Sequence, residues 1–169
     1  VERVLAAHAP FPALAVDRHW HLLRANPPAL ALMAGVEGPL AEPPVNVLRL
    51  SLHPEGLAPR ILNLGAWRAH VLARLRRQAE NTGDAALLAL HDELAALPAP
   101  AGEAGPELEP GPEPSIAVPL RLGSPAGPLT FISTTTVFGT PADILLSELA
   151  IETFLPADAE TSARLAALT

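Results

Sequence analysis

The chain has 169 residues, of which 49% are hydrophobic, with no Cys and a formal net charge of −7. Such a length and apolar content suit one domain with a sizeable core, and the lack of thiols excludes disulfides, thiolate catalysis and Cys-ligated zinc. All 11 basic residues are Arg, and the acidic balance argues against direct binding to a nucleic-acid backbone, which needs a basic surface.

Val1, Val4, Leu5 and His8 fall on one side of a short helix, which Pro10 and Pro12 stop. A strand is expected over Pro12–Val16, a turn at Asp17-Arg18-His19 and a second strand over Trp20–Arg24. Asn26 suits an N-cap and Pro27 the first helical position, so a helix runs through Ala29–Ala34 and closes at Gly35. After a Pro-rich loop, Asn46 caps a helix over Val47–Leu52, which ends at His53-Pro54-Glu55-Gly56.

The longest helix is expected from about Pro59 to Gln78. Leu57, Ile61, Leu64, Trp67, Val71, Leu72 and Leu75 cover one face of it, and Arg68 interrupts that face. Arg74, Arg76 and Arg77 fall elsewhere, where they favour the helix C-terminus. A further helix carries Leu87, Leu90, Leu94 and Leu97. Residues 98–114 hold 6 Pro, 3 Gly and 4 Glu without hydrophobic periodicity, which predicts a mobile acidic loop inside a single domain spanning 1–169.

A three-stranded antiparallel meander follows. Ile116, Val118, Leu120 and Leu122 alternate as in a half-buried strand, and Gly123–Pro128 turns the chain. Leu129–Phe138 is the second strand, broken at Gly139-Thr140-Pro141, and the third runs from about Ser147 to Leu155. Asp158 caps a closing helix with Leu165 and Leu168 on its apolar side.

Two strands, several helices and a meander fit an α+β, PAS-like architecture. It has a five-stranded antiparallel sheet with helices covering one face and enclosing a cavity. The last strand lies centrally, against the first. The strand at 115–122 is an edge, where Pro119 is tolerated because it has no N–H to donate.

Three segments carry a family resemblance: FPALAVDRHWHLLRAN (11–26), NVLRLSLHPEGLAPRILNLGAWRAHVLARLRRQ (46–78) and FISTTTVFGTPADILLSELAIETFLPADAET (131–161). Together they resemble the MmyB-like transcription-regulator ligand-binding domain. The resemblance implies a sensor domain of bacterial regulators with an XRE-type helix-turn-helix, which is not within these residues and would make any DNA contact. It also implies a small apolar ligand, with a fatty acid as the family-level candidate. The alternative is a ligand-free dimerisation module, a homodimer paired through the helix Val1–His8.

Arg68 is the candidate anchor for an acidic head group, since a guanidinium can grip a carboxylate bidentately. Trp67, Leu64, Val71 and Leu75 are the candidate cavity wall. Ser133 and Thr135 share a strand face with Leu129, Phe131 and Val137, so Phe131 and these two hydroxyls are candidate contacts, as is His53. His70 falls opposite the apolar stripe and is expected to be exposed. His19 and His21 share a strand face but lack a third ligand nearby, so no metal site is assigned. Glu148 and Glu152 read as polar positions that pair an Arg. Ser147 has no G-x-S-x-G context, and no phosphate loop or H-E-x-x-H occurs, so neither catalysis nor a cofactor is expected. Without a long apolar run or a leader pattern, the expected location is the cytoplasm, with no membrane partner.

Overall fold

The computed structural model describes residues 1–98, 118–137 and 149–166. Its strands are β1 (Ala13–Val16), β2 (Leu22–Ala25), β3 (Leu120–Leu122), β4 (Leu129–Val137) and β5 (Ala150–Pro156). Its helices are α1 (Glu2–Ala7), α2 (Pro27–Met33), α3 (Val47–Leu52), α4 (Leu64–Thr82), α5 (Ala85–Ala95) and α6 (Ala159–Ala166). Most of the acidic stretch 98–114, Ile116, Phe138 and the break after it, Ser147, Glu148 and Leu168 lie outside the described residues.

The strands form one antiparallel sheet in the order β2-β1-β5-β4-β3. β5 is therefore central and β3 is an edge, the order expected of the PAS-like arrangement. The outer edge of β3 is not bare. Leu62 N–H donates to Arg121 O, Gly123 N–H donates to Arg60 O, and the Asn63 side chain bonds both the Pro119 carbonyl and the Arg121 N–H. Such cover removes the open hydrogen-bonding template that makes edge strands aggregate. It also corrects the start of the long helix. Ile61 is extended and bridges Leu122, so Leu57 and Ile61 precede α4 instead of riding on it.

Side chains alternate across β1. Leu14 and Val16 join the main core with Trp67, Val71, Leu75, Leu87, Leu122 and Phe131, under α3, α4 and α5. Ala13 and Ala15 face the other way and pack with Leu5 and Ile151, so α1 covers part of the opposite face of the sheet.

Asn26 ties three of these elements together. Its Oδ1 accepts the N–H groups of Ala29 and Ala13, and its Nδ2 donates to the carbonyls of Leu5 and Phe11. It thus caps α2 while satisfying backbone of β1 and α1. Asn26 is itself 3% exposed, so backbone groups and not water satisfy its amide, and the buried Ala13 and Ala29 N–H groups gain a partner inside the fold. Asn46 plays the same role for α3: its Oδ1 accepts from Leu48 and Arg49, and its Nδ2 donates to His19 O. Gly56 turns the chain out of α3, and there a Cβ would stand 2.2 Å from the Leu50 carbonyl oxygen, so no larger residue fits.

Candidate functional site

Between the sheet and α2–α4 lies a cavity of about 100 Å³. Its wall is almost wholly apolar, with Leu14 from β1, Leu32 and Met33 from α2, Leu48 from α3, Trp67 and Val71 from α4, and Phe154 from β5. The polar lining residues are few: Ser51, His70, Arg74 and Glu152. Ser51 accepts the Trp67 indole N–H at 3.1 Å, and the His70 ring stacks on Trp67 with centroids 5.7 Å apart.

The polar end is built around Arg74. Glu152 is 4% exposed on the helix-facing side of β5, flanked across the sheet by Leu14 of β1 and Thr135 of β4. Arg74 reaches down from α4 and donates to Glu152 through Nη2 at 2.5 Å and Nη1 at 3.3 Å. Thr135 completes the group: its hydroxyl donates to Glu152 at 2.7 Å and accepts from Arg74 at 2.6 Å. The Arg74 guanidinium also lies over the Trp20 ring, 4.6 Å from its centroid. A buried carboxylate needs such a partner, because an unpaired buried charge costs several kcal/mol (roughly 3–5).

Trp20 sits in the left-handed region with φ 69°. For a bulky side chain that conformation costs about 1–2 kcal/mol. Burial of the indole and its N–H bond to Gln78 Oε1 at 2.8 Å offset the cost.

His70 is half-buried and its pKa is pushed below the ordinary value. Burial is the largest cause, followed by the positive charges of Arg74 and Arg77, with Glu152 opposing them. His70 is thus a cavity residue and not the exposed one expected. The reason is angular: at 3.6 residues per turn it lies about 60° from Trp67 on the helix, still on the flank that meets the sheet.

The structure brings only part of the expected set together. Trp67 and Val71 line the cavity. Leu75 and Phe131 are core residues, 1% and 0% exposed, and Phe131 meets Phe154 edge to face behind the wall. Leu64 packs at the core margin. Ser133 pairs with Phe154 across the sheet, beside the wall and not in it. Thr135 contacts Arg74 and Glu152 and borders a second, more polar cleft of about 380 Å³ that shares Trp20 and Arg74 with the first. His53 ends α3, where its Nδ1 accepts the Glu55 N–H.

Arg68 does not reach the cavity. It turns toward α5 and donates to the carbonyls of Leu94, Ala95, Leu97 and Pro98. These include the last carbonyls of a helix, which have no partner inside it, so Arg68 caps α5. Arg74 is the basic residue at the cavity. Its signal was present: it follows Trp67 by seven residues, about 20° away around the helix, closer to the sheet-facing direction than Arg68.

A family model described as MmyB-like transcription regulator ligand binding domain matches residues 1–168. Among curated proteins, none matches the chain at a significant level.

Proposed function

The chain belongs to the MmyB-like transcription regulator ligand binding domain family, and from that premise we propose that its ligand is a small apolar carboxylic acid, a fatty acid in chemical class. The observation that carries this reading is the pairing of an apolar wall with one arginine at its end. Each buried methylene of such a ligand contributes about 0.8 kcal/mol, and a carboxylate suits the fork of Arg74. In the free domain Glu152 occupies that fork, so the ligand head group competes with it.

The cavity is smaller than the roughly 300 Å³ at which small-molecule sites usually begin. A fatty acid of any length therefore needs a wall to move. The wall best suited is α2, where only Pro28 and Ala29 are buried and Leu30 is 52% exposed. Its end is pinned by Arg60, which donates to the carbonyls of Leu32 and Ala34. Binding then favours a shape with α2 displaced, and that difference in affinity between two shapes is what a sensor transmits. An attached helix-turn-helix in the cytoplasm is the proposed recipient, and no chemical turnover is involved.

A second reading is pairing of two copies through α1, favoured by the exposure of Val1 (50%) and Val4 (37%) there. A sedimentation series that shows only monomer removes it.

Thermal melts of delipidated protein with acids of increasing chain length, each matched to its primary alcohol, test the main reading. The acids raise Tm, and more than the alcohols do. The lack of any shift up to the solubility limit of each acid contradicts the proposal.

A further inference from the structure

We propose that Asp17, His19 and His21 form a binding site for a divalent transition-metal cation of the zinc type. Their ligating atoms all lie within 4.8 Å of one another. Zinc bonds of about 2.0–2.2 Å to nitrogen and oxygen place tetrahedral ligand atoms about 3.3 Å apart. His21 Nδ1 and Asp17 Oδ2, separated by 3.1 Å, already stand at that spacing. The His19 and His21 rings meet edge to face, 6.3 Å between centroids, as two imidazoles around one ion can.

His19, in the turn itself, and His21, bridged to Asn46 just ahead of β2, supply only two ligands. The third comes from the turn, in which the Trp20 N–H donates to Asp17 O and curls the chain back on itself. Asp17 Oδ1 accepts the N–H groups of His19 at 2.8 Å and His21 at 2.9 Å, which leaves Oδ2 directed at the cluster. Asn46 holds the His19 carbonyl from the other side.

Asp84 Oδ2 lies 2.8 Å from Nε2 of His19, and its Oδ1 accepts the Ala86 N–H at the start of α5. A carboxylate holding a ligating imidazole in this way sets the ring's orientation and raises its affinity for metal. The side chains are 24–32% exposed, and Asp17 and Asp84 border the second cleft, so an ion has an entry path and room for a water ligand. Two imidazoles and a carboxylate suit zinc or copper better than magnesium or calcium, which take oxygen donors. A bound ion would fix the β1–β2 turn, which the His19–Asp84 hydrogen bond already ties to the start of α5. It uses none of the groups proposed to contact the acid, so either reading can fail alone.

Tag-free protein, stripped with a chelator, is titrated with Co²⁺ and then Zn²⁺. The expected result is one equivalent per chain, a visible Co²⁺ absorption band stronger than that of the aquo ion, its loss on adding Zn²⁺, and a Zn²⁺-dependent rise in Tm. Asp84→Asn weakens binding about 10–100-fold, and His19→Gln with His21→Gln abolishes it. Wild-type protein that gives only the aquo spectrum and no Tm shift overturns the proposal. So does unchanged Zn²⁺ affinity in Asp84→Asn together with the double variant. If the double variant is unfolded by circular dichroism, the wild-type titration and Asp84→Asn decide the matter.

Discussion

Arg74 answers three groups at once: the Glu152 carboxylate, the Thr135 hydroxyl and the face of Trp20. Of these, Glu152 matters most to an acidic ligand, because it holds the same fork the ligand needs. Glu152→Gln keeps a hydrogen-bonding side chain and removes the competing charge. A unit charge about 4 Å away is worth up to about 4 kcal/mol in a partly screened site. The variant should bind a fatty acid at least about tenfold more tightly, with no gain for the alcohol of the same length. Equal acid affinity in calorimetric titrations of the two proteins would remove Arg74 as the anchor. This corner was only half legible in the sequence. Glu152 read correctly as the partner of an arginine, but which arginine depended on a difference of tens of degrees around α4. The periodicity of Leu and Val residues does not resolve that, because α4 meets the sheet on one flank and α5 on the other.

Among the helices and strands, the caps are the feature most readable in the sequence. Asn26, Asn46 and Asp158 all accept backbone N–H groups at the helix starts the sequence marks for them. Local chemistry sets these, since the cap lies within three residues of the group it satisfies. The end of α5 is different. Its carbonyls are capped by Arg68, 26 to 30 residues away in the chain, so no local pattern announces the contact. Arg68→Ala should lower unfolding free energy by about 1–3 kcal/mol through the loss of charged hydrogen bonds, measured by urea denaturation. Fatty-acid affinity should stay as in the wild type. A selective loss of acid binding with unchanged stability would return Arg68 to the site. The start of α4 departs from its apolar periodicity for a similar reason: the backbone of residues 60–62 is drawn to β3 by contacts with a strand some 60 positions later.

For the fold overall, sheet order is legible in the sequence, and the extent of the cavity is not. Strand alternation, Pro119 and the order of elements lead to a central β5 and an edge β3. A filled core and a lined cavity use the same residue types, so only the placement of Leu75 and Phe131 behind the wall, and of Met33 and Ser51 in it, separates them. The cavity also makes stability depend on pH. His70 has a folded pKa below its ordinary 6.5, so the unfolded chain binds this proton more readily. The stability contributed by neutral His70 is present above about pH 6.5 and is lost as pH falls through the lowered value. Melts of wild type and His70→Gln should therefore diverge below about pH 6.5, with the wild type losing more. Parallel curves down to pH 5 would show that burial and Arg74 do not act on His70 as described.

The space bounded by Trp67, Val71 and Arg74 is proposed to hold an acid. The decisive experiment is native mass spectrometry of delipidated protein, wild type and Val71→Phe, incubated with a saturated fatty acid. Val71 is 6% exposed in the cavity wall, so the larger ring fills the space and leaves the surface untouched. The expected result is one acid per wild-type chain, and none on a folded Val71→Phe chain whose Tm is kept or raised. Equal loading of the two proteins, or no loading of the wild type, would contradict it.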